Sequence, residues 1–279
     1  MSAGDRAEHR PFIAAIIADH EADLPRLLYA DFLEETGTPV HLARAKYIRA
    51  AIQPNLPAAQ NEAYCRTLLH AHMREWAGHL GRVLASNLDT VRWRRGFPYW
   101  VPLTPSEVYD HGARLFEEHP LQAMQLLPES AQQFDWLFTE DMPTIFQTGA
   151  GFREHTFLSR LTHLQLGPQR GYRTQLLRLL RGVMHSALLV NLGSLDLADN
   201  PLEDTDVVSF LAQLHRSVFA DTLTVLDLSH CTRLTDAGAN TLATAESLKA
   251  LQTLRLVGVP LGADVLEMLH QRYGDGLIL

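Results

Sequence analysis

Two aspartates, Asp196 and Asp227, each stand between paired leucines in segments 31 residues apart. That spacing places their carboxyls side by side on neighbouring parallel strands, about 4.8 Å apart. Two ionised carboxylates so close repel unless a cation, or an Arg or Lys of a partner, sits between them. A basic protein partner is therefore the sharper chemistry for the pair. Acid/base work is the other chemistry open to two carboxylates, but no nucleophile or oxyanion donor is identifiable alongside. The chain has no Gly-x-x-x-x-Gly-Lys, His-Glu-x-x-His, Gly-x-Ser-x-Gly or paired Cys-x-x-Cys pattern. His70 and His72 fall in a helical run, point to different sides and read as surface histidines rather than metal ligands. His230 and Cys231 are adjacent and face opposite ways on an extended strand end, which does not build a thiol–imidazole pair. Gly149-Ala-Gly151 lacks the strand and helix of a phosphate loop and reads as a turn. Arg92, Arg94 and Arg95 surround Trp93. A phosphate or acidic-partner contact is one reading; a solvated junction with arginine stems over apolar surface is the favoured one. The residues thus indicate no enzyme, no cofactor and no metal.

The elements that must hold the aspartates repeat. Four segments read Leu-x-x-Leu-x-Leu: Leu161/Leu164/Leu166, Leu192/Leu195/Leu197, Leu223/Leu226/Leu228 and Leu251/Leu254/Leu256. A fixed period of this size marks stacked units that each bury a face against the next. In Leu-x-Leu both leucines point to one side of a strand and the residue between them to the other. A weaker fifth unit, Leu121/Met124/Leu126, comes first, and an irregular insertion near 130–153 separates it from the rest. The displayed residues Gln125, Gln165, Asp196, Asp227 and Arg255 are expected to form one column. Ala123, His163, Ser194, Val225 and Thr253 flank it on one side, and Leu127, Gly167, Ala198, Ser229 and Val257 on the other. The returns look helical: Leu176, Leu177, Leu180, Val183 and Met184 share one face, as do Val207, Phe210, Leu211 and Leu214. Asn200 lies three residues after the last leucine, where its amide can satisfy turn carbonyls; Cys231 and Val259 hold that position in the next two units. The segment Gly96–Val101 with the helical run to Glu118 is the expected N-terminal cap, and Tyr273–Leu279 the closing strand.

Strand-and-helix units of this length resemble leucine-rich repeats of the ribonuclease-inhibitor-like or cysteine-containing classes. The stretch Leu226-Asp-Leu-Ser-His-Cys-Thr-Arg-Leu-Thr-Asp-Ala-Gly238 is particularly close to those patterns. The resemblance implies an α/β solenoid over 91–279, with short parallel strands on a concave face and helices on the convex face. The column Gln125, Gln165, Asp196, Asp227 and Arg255, with His163, Ser194 and Ser229, is then the expected partner-binding surface.

The first 90 residues follow another pattern. Phe12, Ile13, Ile16 and Ile17 mark one helical face. A second helix starts near Leu24-Pro25 and stops at Gly37, a third runs from about Leu42 to before Pro54, and the spacing from Tyr64 to Leu84 predicts one long fourth helix. The runs Phe12–Asp19, Pro25–Glu35, Gly37 and Ala43–Arg49 resemble the bacterial repeat-companion domain, a short helical region that typically precedes repeats. Arg26-Leu-Leu-Tyr-Ala-Asp-Phe-Leu-Glu-Glu35 is the most specific part; Phe32 replaces the usual tryptophan, Lys46 the usual glutamate, and Val40-His-Leu42 is an insertion. The family brings an all-α N-terminal module over 1–90 and no activity.

Composition fits a globular chain: 279 residues, 46% hydrophobic, two cysteines and net charge −8. No apolar run suits a membrane span, and the charged N-terminus does not read as a signal peptide, so a cytoplasmic protein is expected. Residues 1–95 hold 12 basic and 11 acidic side chains, which leaves −9 on the remainder. An acidic repeat region disfavours nucleic acid and favours a basic protein surface. The expected function is a non-enzymatic protein-interaction module, an adaptor or recognition subunit in a bacterial signalling or defence assembly. The alternatives are an inhibitor of a basic enzyme and an enzyme with its site between Ser130 and Arg153.

Overall fold

The computed structural model describes residues 3–129, 138–139, 142–143, 155–168 and 173–279. Apart from two two-residue strands, β4 (Phe138–Thr139) and β5 (Met142–Pro143), which pair antiparallel, the irregular segment expected near 130–153 lies outside the described residues. Those described make an α/β chain with a mostly parallel, open sheet. None of their helices is long and apolar enough to cross a membrane. The chain divides into two compact units: residues 1–101 with 113–121, and residues 102–112 with 122–279.

Unit 1 begins with α1 (Ala3–Ala18), α2 (Leu24–Thr36), α3 (Pro39–Ile52), α4 (Ala58–Trp76) and α5 (His79–Leu84). Pro25 suits the first turn of α2, where a missing N–H costs nothing, and Gly37 ends the helix at φ 68°. Helix α3 starts earlier than Leu42: the Thr38 hydroxyl accepts the His41 N–H, and Pro39 sits at the first position. The single helix expected from Tyr64 to Leu84 is instead two. Gly78 takes φ 54°, a left-handed conformation that stops the ladder between Trp76 and His79. Strands β1 (Arg92–Arg94) and β2 (Phe97–Leu103) form an antiparallel hairpin, and α6 (Pro105–Glu118) follows, the end of β2 and the first part of α6 belonging to unit 2. Ile13, Ile16, Tyr29, Ala30, Leu33, Ala45, Ile48 and Phe97 make the core of the unit, with Phe12 stacked on Phe32 at 4.7 Å between ring centres.

Unit 2 contains six parallel strands in the order of the chain: β3 (Ala123–Leu126), β6 (His163–Leu166), β7 (Ser194–Asp196), β8 (Val225–Asp227), β9 (Thr253–Arg255) and β10 (Leu277–Ile278). Helices α7 (Arg173–His185), α8 (Asp204–Leu214), α9 (Asp236–Thr244) and α10 (Ala263–Tyr273) return the chain between strands. Met124, Leu164, Leu195, Leu226 and Leu254 are in register across the ladder, and each is fully buried. Removing a leucine side chain from water is worth about 1.5–3 kcal/mol, so this row contributes to the cohesion between successive repeats within unit 2. The last strand closes the ladder as expected, with Leu277 opposite Leu254.

The turn leaving each strand repeats as well. Asp199, His230 and Gly258, at the 31- and 28-residue period, have φ of 61°, 59° and 70°. A Cβ on Gly258 would lie 2.7 Å from His230 Nδ1, so a side chain there would have to displace the His230 ring as well as adopt the positive φ that Asp199 and His230 take. Asn200 is buried and donates from Nδ2 to the carbonyls of Leu166 (2.6 Å), Leu197 (3.0 Å) and Ala198 (3.2 Å). Cys231 copies the contact one unit later, its Sγ donating to Leu197 O at 3.3 Å. Val259 cannot, having no side-chain donor.

Candidate functional site

The site is built by the parallel register of unit 2. Gln125 lies opposite Gln165, Gln165 opposite Asp196, Asp196 opposite Asp227, and Asp227 opposite Arg255, which is the expected column. The first four are half-buried and Arg255 is exposed. His163 and Ser194 stand half-buried in the adjoining row. Three expected flanking positions are buried instead: Ala123, Gly167 and Ser229. For Ser229 the reason is visible, because its hydroxyl accepts the Val257 N–H at 3.3 Å and so belongs to the turn between two units.

The aspartates have structural as well as electrostatic roles. Asp196 Oδ1 accepts the Ala198 N–H and Asp227 Oδ1 the Ser229 N–H, each at 2.9 Å. Each carboxylate thus pins the first turn after its own strand, as Asx side chains do. The expectation that a partner cation must separate them needs amending. Arg255, next in the column, brings Nη1 to 3.6 Å from Asp227 Oδ2, so the chain itself supplies a cation to one of the two. Asp196 has no cation within ion-pair distance among the described residues, although the charge of Arg255 still acts on it from farther away; its second oxygen makes no hydrogen bond or ion pair there. Burial, with a further contribution from the charge of Asp227, holds the Asp196 carboxyl above the usual carboxylate range. Asp196 is therefore the position of the column with unused capacity for a cation. Gln125 is less available, since its amide donates to Gly167 O.

Away from the column, a second ladder, absent from the expectations above, ties the helix starts together. Arg173 Nη2 contacts Asp206 (2.9 Å) and Glu203 (3.1 Å), while Arg233 reaches Glu203 from the next unit at 3.1 Å. Asp204 accepts the Thr235 N–H at 2.9 Å, and Asp236 accepts the Gly262 N–H at 2.7 Å. The signal was a roughly 30-residue recurrence of Arg or acidic residues ahead of each helix, which the leucine rows overshadow.

The remaining candidates settle into ordinary roles. Arg94 and Arg95 pair with Glu21 (3.2 and 3.3 Å), and the Arg92 guanidinium lies 4.6 Å from the centre of the Trp100 ring. That arrangement agrees with arginine stems covering apolar surface. His72 pairs with Glu75 at 3.0 Å, and among the described residues no group of three potential ligands could hold a metal. Cys231 is fully buried and its thiol is pushed up to about 12, mainly by burial, which leaves no thiolate for nucleophilic work. Compared with known proteins, the chain matches no family model and no curated protein.

Proposed function

We propose that this chain is a protein-interaction module: a leucine-rich-repeat solenoid in unit 2, preceded by a helical module of the repeat-companion kind, serving as an adaptor or recognition subunit of a bacterial signalling or defence assembly. The partner docks on the strand column, with an Arg or Lys placed at Asp196. The observation carrying this reading is the in-register column, in which Asp227 already has Arg255 while Asp196 keeps one carboxylate oxygen without a partner among the described residues. A rigid ladder presents these groups with little ordering cost on binding, so a few central contacts suffice for affinity.

Affinity capture from a lysate of the source cells tests the proposal, with wild type beside Asp196→Asn. Asparagine retains an oxygen for the Ala198 N–H and removes only the charge. Lysine at both aspartates would also break two turn bonds and so confuse lost binding with local unfolding. A protein retained by wild type, released by salt and lost from the variant supports the proposal. Equal retention by both chains places the interaction elsewhere.

A further inference from the structure

Unit 1 has a cleft, open to solvent on one side, of about 720 Å3, within the range of small-molecule sites. Arg44, on α3, lines it and is only 6% exposed. Its guanidinium lies 5.5 Å from the ring centre of Tyr29 and 5.1 Å from that of Phe97. The Nε has no hydrogen-bond partner, and no carboxylate among the described residues pairs with the side chain. Aromatic faces attract a cation but do not replace the water or the counter-ion that burial removes. A buried guanidinium with no anion of its own, facing a cavity, has the charge and the planar fork that carboxylates and phosphates engage in a bidentate manner.

None of the three carboxylates in the wall forms an ion pair with it: Glu117 pairs with Arg10, Glu118 with Arg114 (2.8 Å), and Glu75 meets the His72 ring at 3.0 Å. Arg82 adds a further cation with no ion pair among the described residues. His119, buried in the wall, has its pKa pushed down to about 4 by burial and by the charge of Arg44, so at neutral pH it adds no charge. Tyr29, Trp76 and Ile13 supply apolar lining beside the guanidinium.

We propose that this cavity binds a small organic anion, whose acid group sits on Arg44 and whose apolar or aromatic body packs against Tyr29 and Trp76. The inference is independent of the strand column, which lies wholly in unit 2.

Isothermal titration of the full chain with benzoate, inorganic phosphate and benzamide tests it, together with the melting temperature of Arg44→Met. Benzoate is expected to bind saturably, phosphate more weakly because it lacks the apolar body, and uncharged benzamide not at all. Arg44→Met is expected to weaken benzoate at least tenfold, with the melting temperature showing whether the variant is folded. Arg44→Lys keeps a charge without the fork and should bind benzoate at intermediate strength, which keeps the test open should the Met variant fail to fold. Absence of saturation with both anions, benzamide binding as well as benzoate, or unchanged benzoate binding in either variant overturns the proposal.

Discussion

Asn200→Ala tests how the units of the ladder are joined. The Asn200 amide is 2% exposed and donates to three carbonyls, but it carries two hydrogens, so the contacts to Leu166 O at 2.6 Å and Leu197 O at 3.0 Å are the full bonds. Leu197 O keeps the Cys231 thiol at 3.3 Å after truncation, whereas Leu166 O loses its side-chain donor in a site closed to water. A buried carbonyl left unsatisfied costs about 1–3 kcal/mol and a second lost bond about 1 kcal/mol, so Asn200→Ala should destabilise unit 2 by about 2–4 kcal/mol. Asn200→Cys, which copies the residue used one unit later, should cost about half as much, because a thiol can still reach one carbonyl as Cys231 does. Urea unfolding followed by circular dichroism measures both. A loss below about 0.5 kcal/mol for Asn200→Ala, within the range of an ordinary surface change, would refute the reasoning that these amide bonds join the units.

Asp196 holds its proton to higher pH in the folded chain than in the unfolded one, so its contribution favours folding below the unfolded pKa and is lost as pH rises through the folded one. Asp196→Asn should therefore raise stability at neutral pH and flatten the decline above the ordinary aspartate range, as read by melting temperature against pH; an unchanged profile would count against the buried, cation-poor setting of this carboxyl. Gly258→Ala forces a side chain to φ 70° and towards His230, and should cost about 1–3 kcal/mol in urea unfolding; a neutral effect would mean that the turn has room the structure does not show. Thiol titration with an aromatic disulfide should find Cys65 reactive in the native chain and Cys231 silent until unfolding; rapid reaction of both would contradict the burial of Cys231.

Much of unit 2 was legible because its signals are local and periodic. The leucine spacing located each strand and, through the two-residue alternation, predicted which side chains line up as a column. The ladder then paired Gln165 with Asp196 and Asp196 with Asp227. Asn200 was legible for the same reason, since a fixed offset from the strand puts its amide at the turn. Other features depend on what meets across space. Arg255 could be placed in the column but not at 3.6 Å from Asp227, which depends on the reach of a long side chain. Ser229 was expected on display and is instead closed into a turn by Val257. The break at Gly78 was obscured because Trp76, Leu80, Val83 and Leu84 continue the helical spacing on both sides of it. Left-handed turns at Asp199 and His230 have no glycine to announce them. The setting of Arg44 arises where several helices meet, and one arginine in a helical run says nothing of that.

In the proposed function, Asp196 is where a basic partner engages the column. The direct measurement is the affinity of the captured partner, purified, for wild type and Asp196→Asn by calorimetry at two salt concentrations, with Arg66→Gln on α4 as a control far in sequence from the column. Asp196→Asn should lose at least tenfold in affinity, as expected when a charge is removed from a desolvated pair, with weaker salt dependence and no change for the control. Equal affinities for wild type and Asp196→Asn would contradict it.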